Sequence, residues 1–288
     1  MKKIKAGRQP NRSLGGDIGV AIVLIIFGCF FAFPLVFAIN NSIKPLNELF
    51  VFPPKLFVKN PTLDNFSDLF LLMSKSGVVT FSRYIFNSVF ITLVGTVGHI
   101  LIASMAAYVL AKYRFPGSRL FFNMVTVALM FSGYVLAIPN YLIMAKLGWV
   151  DTYFAIIIPA FAMPMGLFLM KQFMESSIPD VLIEAAKIDG AKEGTIFFRI
   201  VMPLVKPATL TLMIFAIQNL WNNTATTYIY SEEKKTLPFA LKTVAAGGVA
   251  RTGVSAATTV FVMVVPLVSF VLAQGNIVET MASSGIKE

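Results

Sequence analysis

The chain has 288 residues, 57% hydrophobic and only 13% charged, with a net charge of +10 and a mean hydropathy of +0.77. Soluble domains carry charge on about a quarter of their residues, so an ordinary soluble globular fold is excluded. A single cysteine, Cys29, excludes a disulfide framework and a cysteine-built metal site.

Six uncharged stretches have about the 20 residues that a helix needs to cross a hydrocarbon core of roughly 30 Å. They are 18–39, 85–111, 120–143, 153–170, 208–230 and 255–274. An all-α integral membrane protein follows, because in lipid each segment must satisfy its own backbone polar groups. The tail 1–17 begins MKKIKAGRQPNRS. The run behind it is too long for a signal-peptide core and lacks a small-residue cleavage site, which predicts a retained first span. With that tail cytoplasmic, six spans put the 112–119 turn, the 171–207 loop and the C-terminal tail 275–288 on the same side. Fourteen Lys and Arg then lie inside and ten outside, the sense that sets membrane orientation. The basic residues are scattered over loops and form no basic-aromatic module for nucleic acid.

Between the first two spans lies an outer loop, 40–84, with proline breaks and an amphipathic stretch, LDNFSDLFLLM. Spans two to four are joined by short turns and are expected to pack as antiparallel neighbours. In the third, Tyr134, Asn140 and Tyr141 are candidate pore-lining residues beside Pro139. No internal repeat is visible. Titratable chemistry inside the spans is confined to His99, read as a neutral histidine satisfied by a neighbouring helix. No Walker-type phosphate loop is present, nor a carboxylate pair, nucleophile-base constellation or metal cluster, which argues against an enzyme.

The loop 171–207 is the most charged stretch within the membrane-embedded part. Pro179 and Asp180 suit a helix start, and Gly190 suits a left-handed cap, so a helix is predicted over 179–189 and a second over 191–201. The fifth run reads QNLWNNTATTYIY. As one helix it places Gln218, Asn222 and Thr226 on one face beside Trp221, with Asn219, Asn223 and Thr227 on the next. Amides and rings of this kind suit a sugar, whose hydroxyls need donors and acceptors and whose CH faces pack on aromatics. They serve equally as interhelical glue.

The spacing Glu184, Ala185, Ala186, then Gly190, Ile200 and Pro203 resembles the cytoplasmic signature of permease subunits of binding-protein-dependent ABC importers, with Met202 where a leucine is usual. NSIKPLNELFVFPP, NPTLDNF, AKYRFPGSRLFF and IPNYLIMAKLGWVDTYFAIIIP extend the resemblance along the chain, to the carbohydrate-uptake branch. The C-terminal tail departs from the glycine-rich, basic form of many relatives.

That resemblance implies a six-helix type I importer permease domain, 18–274, with a cytoplasmic coupling helix that docks on an ATPase subunit. It implies that Glu184, Ala185, Ala186, Asp189 and Gly190 carry the coupling, with Val181, Leu182 and Ile188 as apolar anchors and Ile200 and Pro203 behind them. Gln218, Asn219, Trp221, Asn222, Asn223 and Tyr134 are the candidate solute pathway. The implied partners are a second related permease, two ATPase subunits holding ATP and Mg, an extracellular solute-binding protein and a sugar, an oligosaccharide by that resemblance. No cofactor is expected on this chain, and the location implied is the cytoplasmic membrane with both termini inside. The alternatives are another uncharged solute, such as a glycerol derivative, or a secondary carrier working alone.

Overall fold

A computed structural model describes residues 14–75, 79–248 and 251–284. Every regular element among them is helical. In chain order they are α1 (Leu14–Ser42), α2 (Leu46–Leu49), α3 (Asp64–Lys75), α4 (Phe81–Lys112), α5 (Ser118–Ala128), α6 (Gly133–Lys146), α7 (Phe154–Phe161) and α8 (Pro164–Ser177). There follow α9 (Asp180–Ile188), α10 (Glu193–Thr195), a π-helical turn Ile196–Val201, α11 (Met202–Leu204), α12 (Lys206–Trp221), a 3₁₀ turn Glu232–Lys234, α13 (Leu237–Ala245) and α14 (Thr252–Ser284). Tail residues 1–13 and 285–288 lie outside the described residues.

Among the described residues, four helical stretches are long and apolar enough to cross a membrane: Gly15–Ser42, Phe81–Lys112, Phe154–Ser177 and Thr252–Gly275. A fifth span is counted if Glu193–Leu204 and Lys206–Trp221, which meet at 81°, are taken as one. Three of the six expected runs therefore differ from a simple rod. The third run is split between α5 and α6 by turn residues 129–132. At 1.5 Å per residue, these helices of 11 and 14 residues reach only about 16 and 21 Å. The fifth run stops being helical at Trp221, where Asn223 Oδ1 accepts a hydrogen bond from the Ala225 amide at 2.7 Å and turns the chain. The fourth is interrupted at Ala162 and Met163. Met163 is extended, as a residue before a proline prefers, and α8 restarts on Pro164.

The packing centre is α4, against which α7, α8 and α12 lie. Glycines permit the close approach. A Cβ at Gly166 of α8 would stand 2.0 Å from His99 Nε2, and one at Gly98 of α4 would stand 2.1 Å from the Phe161 ring. His99 is buried, and its Nδ1 lies 3.3 Å from the Phe161 carbonyl, a partner on the neighbouring helix. Helix α1 lies against α14 and exposes Phe27, Phe30, Phe31 and Phe33, an apolar surface of the kind that faces lipid.

The two ends of the bundle are built differently. At one end, Asp151, in the left-handed region at φ 59°, gathers the 222–236 segment. Its carboxylate accepts the Tyr230 amide at 3.0 Å, the Ser231 amide at 2.9 Å and the Ser231 hydroxyl, and pairs with Lys234 at 3.2 Å. Those donors, led by the Ser231 hydroxyl, hold its pKa far below the ordinary carboxylate range. Buried Asn87 of α4 completes the clamp: its amide donates to the carbonyls of Glu233 and Lys235, both at 2.8 Å, and its Oδ1 accepts from Tyr153. At the other end sits α9.

Candidate coupling site and solute pathway

Helix α9 is nine residues long, too short to be stable alone, so its packing must hold it. Pro179, extended at ψ 137°, occupies the N-cap, and Asp180 places a carboxylate in the first turn. At the other end Gly190 adopts φ 78°. The Gly190 amide donates to the Lys187 carbonyl and the Ala191 amide to the Ala186 carbonyl, both at 3.0 Å, which is a Schellman cap. The helix and the glycine stop expected from sequence are both present.

The orientation of α9 separates its residues into two sets. Ile183 and Ala186 are buried against Met174, Ile178, Ile196 and Phe197. Fully burying a side chain of the size of Ile183 is worth about 1.5–3 kcal/mol. Val181 is 73% exposed and Ile188 85%, with Leu182, Glu184, Ala185 and Asp189 also outward. Ala186, expected to share an exposed face with Ala185, is only 8% exposed: its small side chain admits the chain's own core. Adjacent helical residues lie about 100° apart, so both could not face outward equally. Ile183 was missed by sequence reading, although its place three residues before Ala186 marks the inward stripe.

Beyond Gly190, the expected second helix starts at Glu193 and is irregular: α10, the π-helical turn, α11 and then the bend. Ile200 is half-buried against the α9 core, and exposed Pro203 lies within the last turn before the bend.

Two sets of polar contacts fasten this end to α4. Lys112, at the last turn of α4, donates to the Ile178 carbonyl and to Asp180 Oδ1, the latter at 2.7 Å. The ammonium keeps the Asp180 pKa below its ordinary value. Glu193 accepts hydrogen bonds from the Tyr108 hydroxyl, at 3.2 Å, and the Tyr113 hydroxyl, and pairs with Lys187 of α9 at 3.1 Å. The Tyr113 hydroxyl is the main cause of the lowered Glu193 pKa. The pKa of Tyr113 itself is raised, by burial first and the Glu193 bond second. None of the four contacts made by Tyr108, Lys112 and Tyr113 was expected, since their partners are 66 to 85 residues apart in sequence.

The candidate pathway residues do not share one helical face. Gln218 and Asn219, on the last turn of α12, line a cavity of about 390 Å³ with His99, Gly166, Leu212 and Phe215. Gln218 and Asn222 also border a second cavity, of about 620 Å³, with Lys242, Ser255, Thr258 and Thr259. Trp221 is buried and its indole N–H donates to the Val262 carbonyl at 3.0 Å, so it fastens α12 to α14 instead of presenting a ring to solute. Asn223 is spent on its own turn. Tyr134 falls within α6, but its side chain lies outside the described residues; exposed Asn140 and half-buried Tyr141 follow on the same helix, Tyr141 stacked on Tyr228.

Comparison with known proteins agrees with this architecture. Residues 99–281 match the family described as the binding-protein-dependent transport system inner membrane component. The chain is 32% identical, over 99% of its length and 100% of the relative's, to the arabinooligosaccharides transport system permease protein AraQ of Halalkalibacterium halodurans. It is 31% identical, over 88% of its length and 92% of the relative's, to the trehalose transport system permease protein SugB of Mycobacterium tuberculosis. Among solved structures, a chain of a bacterial ABC transporter involved in import of the acidic polysaccharide alginate superposes with a TM-score of 0.75 at 24% identity, covering 93% of this chain and 99% of that one. The long apolar helices, the capped α9 and the match over residues 99–281 converge: this chain belongs to the multi-pass inner-membrane permeases of binding-protein-dependent ABC transporters, a family in which the ATPase is a separate protein.

Proposed function

We propose that the chain forms half of the translocation pathway of an ATP-driven importer for a sugar, an oligosaccharide in particular, and that α9 is the helix through which ATPase subunits drive it. The observation that carries this reading is the outward set Val181, Leu182, Ala185 and Ile188 on a helix braced from behind by Ile183 and Ala186. An exposed apolar face on a rigid support is what a docking partner requires. Glu184 and Asp189 flank it with carboxylates for charge-assisted hydrogen bonds, and Gly190 fixes the exit of the chain. Ile200 and Pro203 stiffen the segment that leads from that face to the bend.

The complete machine adds a second, related permease chain, two ATPase subunits that bind ATP and Mg, and an extracellular solute-binding protein received in part by the loop 40–84. In the cytoplasmic membrane the chain crosses six times, with α5 and α6 together as the third span and both termini inside. Gln218, Asn219 and Asn222 face the cavities beside α12 and supply donors and acceptors to a hydroxylated solute. ATP binding draws the ATPase pair together and biases the permease between two states through its differential contacts at α9.

The test is ATP hydrolysis by the reconstituted assembly with its binding protein and a sugar panel. Stimulation by one oligosaccharide class is the expected result. A flat response to sugars with stimulation by a glycerol derivative reassigns the solute, and ATP-independent uptake by this chain alone in liposomes replaces the importer reading with a carrier.

A further inference from the structure

Ile183 and Ala186 of α9 belong to one apolar core with Met174, Ile178, Ile196 and Phe197, a core that also holds Ala107 and Tyr108 of α4. The directional polar contacts of α9 run to α4, the packing centre of the bundle. Lys112 grips the start of α9 through the Ile178 carbonyl and Asp180. At the far end Glu193 joins three groups at once: Lys187 of α9 by one carboxylate oxygen, and the hydroxyls of Tyr108 and Tyr113 by the other. The ring of Tyr113 also lies beneath the Lys187 ammonium at 4.6 Å, and Tyr108 packs edge-on to Tyr113 at 5.6 Å. Two carboxylate oxygens with three donors from two elements define direction as well as distance, which a purely apolar contact does not.

We propose that Glu193, together with Tyr108 and Tyr113, is the joint that makes α4 follow α9, so that a push on α9 reaches the centre of the bundle. Resting on the coupling role of α9, the inference adds three positioning residues outside the exposed docking face. Apolar packing alone opposes sliding of α9 along that core less than it opposes separation, since the hydrophobic effect is non-directional. The charge-assisted bonds of Glu193 resist that sliding and send the displacement along α4, past His99 and the cavity it lines with Gln218 and Asn219. Lys112 holds the opposite end of α9 and serves as the pivot.

Reconstituted complex in which Tyr108→Phe, Tyr113→Phe and Glu193→Gln are combined tests the joint, with arabinooligosaccharide as the probe and the binding protein present or absent. The outward face of α9 is untouched, so recovery of the ATPase with the permease and hydrolysis without binding protein are expected to stay at the unaltered level. The factor by which binding protein stimulates hydrolysis, and the sugar taken up per ATP, are expected to fall about fivefold or more, the low end of allosteric couplings. A role in folding alone lowers recovery and all activities together and leaves both ratios unchanged. Rescue separates the two further. In a Cys29→Ser background, Tyr113→Cys with Glu193→Cys is expected to lose the stimulation factor and to regain it when a short bis-maleimide bridges the pair.

Ratios equal to those of the unaltered complex, or no recovery on bridging, overturn the joint while leaving the importer reading intact. If the unaltered permease fails to retain an ATPase at all, the importer reading falls and the joint with it. If it hydrolyses ATP but takes up no arabinooligosaccharide, the stimulation factor still decides the joint.

Discussion

Ala185 and Ala186 are neighbours in sequence with opposite surroundings, and the difference changes what substitutions there report. Ala185→Trp adds a ring to the outward face and is expected to abolish co-purification of the ATPase while the detergent melting temperature stays within a degree or two of the unaltered chain. Ala186→Trp overfills a buried site, a change that costs about 1–3 kcal/mol or more, and is expected to lower that melting temperature. A lost pulldown with Ala186→Trp therefore reports the chain's own core and not the docking face. At Gly190, proline cannot donate the amide that bonds Lys187 or adopt φ 78°. Gly190→Pro should retain membrane insertion, measured by alkaline extraction, and lose uptake; unchanged uptake removes the lever. Gly190 was legible from sequence because only its backbone freedom mattered. Glu193 was not, because its importance depends on two tyrosines at the end of a distant helix.

At the scale of elements, helices with intact apolar periodicity and clear caps were readable, and interrupted ones were not. Composition continues unbroken through LMFSGY at 129–134, so nothing in hydropathy marks the gap between α5 and α6. Polar Asn222 and Asn223 read equally as a pore-facing stripe or as a helix stop, and the Asn223 turn decides for the stop. The seam between α4 and α8 yields a clean measurement. Gly166→Ala sets a methyl against the buried His99 ring and should destabilise the chain by about 1–3 kcal/mol, read as a lower melting temperature. Gly95→Ala meets only the flexible end of Leu220 and should cost less. Equal effects would show that α4 and α8 are less closely seated than the glycine contact implies.

Among the described residues, one cluster of polar contacts gathers around Asp151 and Asn87 and another around Lys112 and Glu193. The Asp151 clamp gives one end its own pH response. Its carboxylate pKa is lowered in the folded chain, so the clamp's contribution is fully present above the ordinary value of 3.8 and is lost as pH falls through the lowered one. Protease protection of the 222–236 segment should persist at pH 4 and fail only in stronger acid. Asp151→Asn, which removes the charge facing Lys234 and the strong acceptor of the Ser231 hydroxyl, should expose the segment even at neutral pH. Protection that fails already at pH 5 in the unaltered chain would mean Asp151 is not what holds it.

On the proposed drive through α9, the 81° bend between Leu204 and Lys206 sets the gearing of the segment that follows it. Its two limbs, 193–204 and 206–221, measure about 18 and 24 Å at helical rise. Turning as one rigid crank about Val205, they convert each ångström at the Glu193 end into about 1.3 Å at Trp221. Such a ratio amplifies the stroke by only about a third. On that proposal the opening beside Gln218 and Asn219 follows the stroke delivered at the other end of the crank, so a drive that travels half as far opens the passage half as wide.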